Sequence, residues 1–228
     1  MIAAASTKPL TIRLEDGQEV SGLLQAPSDA RACYVLAHGA GAGMAHPFMA
    51  SIADGLQERG IATLRYQFPY MERGSKRPDP PKLAHATVRA AVAEAARRIP
   101  GTALFAGGKS FGGRMSSQAQ AAMPLPQVRG LVFLGFPLHA AGKPSDERGA
   151  HLFDLRVPML FLQGSRDELA TLELLEPLVA RLGASAKLRL FADADHSFHV
   201  PARSGRKDAE VRAELLDIAA EWMTVTAR

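Results

Sequence analysis

Residues 107–112 read Gly-Gly-Lys-Ser-Phe-Gly and contain two overlapping motifs that would perform different chemistry. The Gly-Lys-Ser part resembles the end of a P-loop, which binds phosphate groups. The sequence from Gly108 to Gly112 also matches G-x-S-x-G, a nucleophile elbow that would present Ser110 for acyl transfer. An apolar run, TALFA, precedes the segment and an alanine-rich stretch follows it. Both patterns predict a sharp turn from a strand into a helix.

The P-loop interpretation fails at two points. The motif G-x-x-x-x-G-K-[ST] requires glycine at position 103, where this chain has Ala103. The next apolar run, VRGLVFLGFP, ends in Phe-Pro and provides no aspartate for a magnesium ion. The elbow motif has both of its glycines, which a tight strand-to-helix turn needs because side chains would crowd the backbone. Ser110 is therefore the candidate nucleophile.

A serine nucleophile needs a histidine base, and the histidine needs a carboxylate to orient it. On a doubly wound sheet, these partners are expected in the order Ser, Asp or Glu, His, each after a later strand. Asp167 follows the apolar run MLFLQG, and His196 follows KLRLFADA. Glu168 and His199 are alternatives. Asp167 and His196 are favoured because each lies nearer to the end of its strand.

Acyl transfer also needs hydrogen-bond donors for an oxyanion. The backbone amide of Phe111, directly after the nucleophile, is one candidate donor. The glycine-rich loop 38–43, HGAGAG, is the expected source of the second, with Ala40 the first choice and Gly41 the next. His38 precedes the nucleophile in the chain, so we expect it to shape this loop rather than act as the base.

The remainder of the chain alternates between strand-like and helix-like segments. TIRLEDGQEVSGLLQAP predicts an antiparallel hairpin around Asp16-Gly17. Later apolar runs, continuous rather than alternating, are typical of strands buried on both faces of a parallel sheet. The alternation predicts a single doubly wound α/β domain over residues 1–228. The apolar runs are ACYVLAHG, IATLRYQF, TALFAGG, VRGLVFLGF, VPMLFLQG and KLRLFADA, and the helical patterns lie near 46–59, 82–98, 111–122, 171–182 and 206–226.

Composition narrows the function classes. The 228 residues are 47% apolar and carry a formal net charge of +4, with basic residues dispersed. Arg73, Lys76 and Arg77 form a small cluster that no aromatic or glycine-rich recognition motif accompanies, so we expect a solvated loop and no nucleic-acid partner. Cys33, the one cysteine, lies in an apolar run and excludes an internal disulfide. No run is long enough to span a membrane, and the N-terminus lacks a signal-like apolar segment, which predicts a cytoplasmic protein.

The histidines do not predict a metal site. The seven histidines are dispersed, and neither HPF nor DHSF has a second ligand at zinc spacing. We therefore expect no metal and no cofactor.

Taken together, these segments resemble the α/β-hydrolase superfamily, and within it a small dienelactone-hydrolase-like group of bacterial serine hydrolases. The segments that resemble this group are LAHGAGAGMAHPFM, LRYQFPYME, GGKSFGGRM, LQGSRDE and ADHSF. The resemblance implies Ser110, Asp167 and His196 as the catalytic triad, in agreement with the choice made from the residues. It departs from true dienelactone hydrolases at the nucleophile, which is cysteine there and Ser110 here, so their substrate does not carry over.

The segment between the last central strands bears on the substrate. Residues 136–155, FPLHAAGKPSDERGAHLFDL, are too few and too polar for a substantial helical cap. An open site favours a small or exposed ester or thioester as the substrate. Arg65, Tyr66 and Tyr70 are candidates to line this site together with Gly41. For Arg65 and Arg114, the alternative to substrate contact is a structural role. The alternative to a hydrolase is a non-catalytic binding or scaffold protein with the same fold.

Overall fold

The computed structural model describes residues 7–228 and contains, within that range, eight strands in a single sheet. The strands lie in the order β1-β2-β4-β3-β5-β6-β7-β8 across the sheet. They are β1 (Lys8–Arg13), β2 (Glu19–Gln25), β3 (Ala32–Ala37), β4 (Ile61–Tyr66), β5 (Leu104–Lys109), β6 (Val128–Leu134), β7 (Met159–Gly164) and β8 (Ala186–Phe191).

The pairing of the strands matches the predicted architecture. Strands β1 and β2 form the expected antiparallel hairpin, with Arg13 opposite Glu19 next to the turn. β2 pairs antiparallel with β4, and every later pair is parallel. The prediction of a mostly parallel sheet with an N-terminal antiparallel hairpin is confirmed.

The helices cover the five segments with predicted helical patterns. Four short elements were not predicted: the helix that follows β4, and three 3₁₀ helices, of which the longest lies within the polar segment after β6. The helices are α1 (Pro47–Glu58), α2 (Pro69–Glu72), α3 (Pro81–Arg98), α4 (Phe111–Ala122), α5 (Leu172–Leu182) and α6 (Asp208–Thr226), with 3₁₀ helices at Glu147–Asp154, Gly183–Ser185 and Ala202–Ser204.

The sheet separates two apolar cores. Side chains of α3, α4 and α5 pack on one face, and those of α1 and α6 pack on the other. The central strands β3, β4 and β7 are buried along their full lengths because both of their faces are covered. This arrangement explains their continuous apolar sequences, since alternation would place polar side chains against a helix layer.

The carboxyl ends of the parallel strands meet at one edge, where loops from β3 to β8 converge. The segment between β6 and β7 contains only the eight-residue 3₁₀ helix Glu147–Asp154, so no large cap covers this edge. Of the helices in residues 7–228, none has the length and apolarity needed to cross a membrane. The open edge is the place where the predicted site residues should come together.

Candidate active site

Ser110 occupies a strained turn between β5 and α4. Its backbone angles are φ 49° and ψ −115°, which non-glycine residues rarely adopt. The amide of Ser110 donates to the carbonyl of Leu134 on the neighbouring strand, at 3.2 Å. This bond fixes the turn against β6 and leaves the hydroxyl at the carboxyl edge of the sheet.

The glycines of the elbow make this turn possible. A Cβ on Gly112 would lie 2.6 Å from both the Cβ of Ala37 and the carbonyl oxygen of His38. Gly108 has a φ of +143°, and a side chain there would meet the backbone of Ala37. The motif glycines are therefore required by the close approach of α4 and β5 to the end of β3.

The structure brings Ser110, His196 and Asp167 together. Nε2 of His196 lies 2.8 Å from Oγ of Ser110, and Nδ1 lies 2.7 Å from Oδ2 of Asp167. The Asp167 side chain is fully buried and the His196 side chain is 23% exposed. Because a carboxylate can only accept a hydrogen bond, Nδ1 carries the ring proton and donates it to Oδ2. Nε2 is therefore left to accept the proton of the serine hydroxyl.

The two alternatives lie elsewhere. His199 has a side chain that is 64% exposed and pairs with Asp208, at 2.9 Å. That pairing raises the pKa of His199, first through the hydrogen bond and then through the charge of the carboxylate. Glu168 is exposed at the surface. The geometry therefore joins Ser110 to His196 and Asp167 and not to these neighbours.

Gln163 is a part of this network that the sequence analysis missed. This fully buried side chain lies on β7, and its Nε2 donates to Oδ2 of Asp167, at 2.5 Å. Its Oε1 accepts the amide of Phe136, at 2.8 Å, which fixes the orientation of the side-chain amide. The other carboxylate oxygen of Asp167 accepts the amide of Leu169, at 2.8 Å. Asp167 is thus held by protein donors on both oxygens.

The loop that follows β3 lies directly beside the nucleophile. A Cβ on Gly39 would lie 3.8 Å from the Cβ of Ser110. The amide of Ala40 donates to no acceptor among residues 7–228. The amide of Phe111 is the first of α4, where a helix provides no acceptor for it. These two amides are the donors that the sequence predicted for an oxyanion, and that role stays a prediction.

Gly41 is not available as the second oxyanion donor. Its amide donates to the hydroxyl of Tyr70, at 3.0 Å, and the Tyr70 side chain is buried. Tyr70 therefore supports the loop from beneath. This contact leaves Ala40 as the donor candidate from this loop.

His38 also supports the loop, as predicted. Its Nε2 accepts the amide of Phe68, at 3.1 Å, so the ring proton lies on Nδ1, which donates to the Gly39 carbonyl at 2.8 Å. Burial lowers the pKa of His38, against the smaller opposite effect of the Gly39 carbonyl. The neutral ring joins the end of β3 to the segment after β4.

Three residues that were predicted to contact the substrate are buried in the structure. Arg65, Tyr66 and Tyr70 are only 4%, 0% and 1% exposed, so their side chains do not line an open site. Arg65 instead donates to Oε1 of Gln25, at 2.6 Å, and to the Met44 carbonyl, at 3.3 Å. These bonds support the structural interpretation of Arg65. Tyr66 lies in the core beside α3 and α4.

The structure also places the cysteine and describes the arrangement of potential metal ligands. Cys33 is fully buried, and burial raises its thiol pKa to about 12. Within residues 7–228, no group of three or more His, Cys, Asp or Glu side chains is arranged to hold a metal ion.

This strained serine at a strand-to-helix turn, on a mostly parallel eight-stranded sheet, defines an α/β-hydrolase fold. The chain belongs to the alpha/beta hydrolase domain family, whose model matches residues 30–224. The resemblance drawn from the sequence motifs is thereby confirmed at the level of family and fold.

Solved structures with the same fold include several hydrolases. A dienelactone hydrolase from Anabaena variabilis is 21% identical over 99% of this chain and 100% of its own, with a TM-score of 0.81. A serine hydrolase without a lid, from Xanthomonas campestris, is 21% identical over 96% of this chain and 95% of its own, with a TM-score of 0.73. An esterase from Pyrococcus furiosus is 14% identical over 96% of this chain and 92% of its own, with a TM-score of 0.72.

Proposed function

We propose that the protein is a cofactor-independent serine hydrolase that cleaves carboxylic esters or thioesters through an acyl-enzyme. The observation that carries the proposal is the hydrogen-bonded series from Oγ of Ser110 through the His196 ring to Oδ2 of Asp167. The names of the neighbouring hydrolases and esterases agree with this class of reaction. We also propose that residues 1–228 form one domain, which the single sheet in residues 7–228 supports.

In the acylation step, Oγ of Ser110 forms a bond to the acyl carbon while Nε2 of His196 takes the hydroxyl proton. The imidazolium is stabilised at Nδ1 by the Asp167 carboxylate. The carbonyl oxygen becomes negatively charged and would accept hydrogen bonds from the amides of Ala40 and Phe111. The C–O or C–S bond then breaks, and Nε2 returns the proton to the leaving alcohol or thiol.

Deacylation repeats these steps with water. His196 takes a proton from water as its oxygen attacks the acyl carbon, and the bond to Oγ of Ser110 breaks. The proton on Nε2 returns to Oγ, and a carboxylic acid leaves. The strained backbone of Ser110 supports this cycle because it holds Oγ at the same point in each step.

The open edge of the sheet supports a small or exposed acyl group as the substrate. The segment between β6 and β7 contributes one 3₁₀ helix and no cap. A long acyl chain would find no enclosing apolar tunnel from that segment. Gly41 is exposed within the loop 38–43, and contact of its backbone with substrate is part of the proposal.

The proposal is tested by hydrolysis of p-nitrophenyl acetate and butyrate with the wild-type protein and Ser110→Ala. We expect turnover with a pre-steady-state burst of nitrophenol in the wild type. The alanine variant should lose at least about 10³-fold in kcat. Absence of turnover in a folded wild-type protein, over ester and thioester substrates, would instead indicate the scaffold alternative.

A further inference from the structure

Lys109 belongs to the Gly-Lys-Ser sequence, but the nucleophile elbow G-x-S-x-G does not require a lysine at this position. It lies at the end of β5, directly before Ser110. Its ammonium Nζ donates to the main-chain carbonyl of His196, at 2.6 Å. The same Nζ lies 5.9 Å from the centroid of the Phe198 ring. Lys109 therefore contacts the loop of the proposed base at two points.

The loop that carries His196 depends on specific contacts for its shape. Oδ1 of Asp195 accepts the amides of Ser197 and His199, at 2.7 and 2.9 Å. Phe198 has a φ of 63°, a strained value for an aromatic residue. These bonds shape the loop internally, whereas the Lys109 bond joins it to the strand that ends in the nucleophile. A bond of this second kind acts directly on the relative position of His196 and Ser110.

Gly135 shows how closely the ammonium and the imidazole approach each other. A Cβ built on Gly135 would lie 3.1 Å from Nζ of Lys109 and 3.3 Å from both Cε1 and Nδ1 of His196. The absence of a side chain at Gly135, directly after β6, thus leaves room for the side chains of both Lys109 and His196. The φ of +72° at Gly135 favours glycine at this point as well.

We propose that Lys109 is a positioning residue, whose ammonium holds the main chain of His196 so that Nε2 stays within reach of Oγ of Ser110. This inference rests on the proposed hydrolase function. It adds to the active site a residue that does not touch the substrate and acts through the base.

The same contact makes the site sensitive to alkaline pH. Burial lowers the pKa of Lys109 to about 8, against the opposing effects of the Asp167 and Asp195 carboxylates. The ammonium therefore loses its proton as pH rises through about 8. A neutral amine keeps a hydrogen bond to the His196 carbonyl, but one about half as strong as the charged bond.

The charge of Lys109 also acts on the His196 ring, in the opposite direction. An ammonium disfavours the imidazolium of the transition state, so its loss of a proton would assist the reaction. The buried Asp167 carboxylate lies 2.7 Å from Nδ1 and faces both cations, which offsets this repulsion. The direct 2.6 Å bond to the loop therefore dominates, and activity should fall as pH rises.

Two substitutions separate the charge from the length of the side chain. Lys109→Met keeps the length and removes the donor, and Lys109→Arg keeps a charge throughout the accessible pH range. Lys187→Met is the matched control, because Lys187 is exposed on β8. For p-nitrophenyl acetate, Lys109→Met should lower kcat about tenfold at pH 7 with little change in KM, since small displacements of a reacting group are costly.

The pH profiles give the decisive comparison. The wild type and Lys187→Met should lose kcat as pH rises through about 8. Lys109→Arg should keep its activity there, and Lys109→Met should have a lower, flat profile. A wild-type profile that is flat or rising across that range, or a Lys109→Met variant with wild-type kcat and profile, would overturn the proposal.

Hydrogen exchange tests the positioning role independently of turnover. In Lys109→Met, peptides covering 192–200 should exchange faster than in the wild type and in Lys187→Met. Unchanged exchange would overturn the positioning role even in an active enzyme. Conversely, faster exchange in a protein that hydrolyses no ester would show that Lys109 holds the loop and that the hydrolase proposal fails. If Lys109→Met does not fold, the pH profiles of kcat for the wild type and Lys109→Arg still test the proposal.

Discussion

Oδ2 of Asp167 accepts two hydrogen bonds, from Nε2 of Gln163 at 2.5 Å and from Nδ1 of His196 at 2.7 Å. The buried amide of Gln163 thus positions the carboxylate that orients the proposed base. Because Phe136 fixes the amide in turn, the end of β6 contributes to the orientation of His196. Asp167 is thus part of a hydrogen-bond network that includes Gln163 on β7 and the segment directly after β6.

Replacing Gln163 should affect both stability and activity. Gln163→Leu leaves the Phe136 amide without an acceptor, which costs about 1–3 kcal/mol and lowers Tm by several degrees. It should also lower kcat about tenfold, because Asp167 loses a donor to its charged form. Thermal unfolding and ester kinetics measure the two effects. Gln163→Glu should be more damaging to activity, since a second carboxylate would face Asp167; wild-type kcat in both variants would contradict the network.

The two neighbouring histidines should differ sharply in mutagenesis. His196→Ala should reduce ester hydrolysis at least about 10³-fold because the serine loses its base. His199→Ala should retain most of the activity, since the His199 ring is exposed and pairs with Asp208. Steady-state kinetics with both variants check this ranking. The reverse ranking would assign the base to His199.

Tyr70 should act on activity through the loop and not through substrate contact. Tyr70→Phe removes the acceptor of the Gly41 amide while keeping the ring buried. We expect a loss of about 1 kcal/mol in the free energy of unfolding. kcat should fall several-fold, with KM nearly unchanged, because the neighbouring Ala40 amide is less well held. A change confined to KM would place Tyr70 in the substrate site after all.

Cys33 should be chemically inert in the native protein. Its thiol pKa is raised to about 12, so the reactive thiolate is almost absent at pH 8. Ellman's reagent should therefore react only after denaturation, with one thiol per chain. Rapid reaction of the native protein would show that the β3 segment opens readily.

The proximity of Ser110, Asp167 and His196 could be predicted from the sequence because each of them follows an apolar strand in a local motif. The parallel sheet then brings the three strand ends to one edge. The choice of Asp167 over Glu168 followed from the shorter distance to the end of its strand. The structure has the same pairing, with the rival carboxylate exposed.

The substrate contacts could not be predicted in this way. Residues that follow a strand in sequence look available to a ligand, yet β4 is central and covered on both faces, so Arg65 and Tyr66 are buried. Gln163 was visible as a polar residue within the apolar run MLFLQG, which was a signal of a buried hydrogen bond. The role of Lys109 depends on a loop 87 residues away, a contact that no local pattern specifies.

Covalent labelling distinguishes an activated nucleophile at Ser110 from an unreactive serine side chain. The folded wild-type protein is treated with a fluorophosphonate, and the intact mass and the modified peptide are determined by mass spectrometry. We predict one adduct per chain, on Ser110, that is absent in Ser110→Ala and strongly slowed in His196→Ala. Labelling that persists in Ser110→Ala, or no labelling of the folded wild type, would show that Ser110 is not an activated nucleophile.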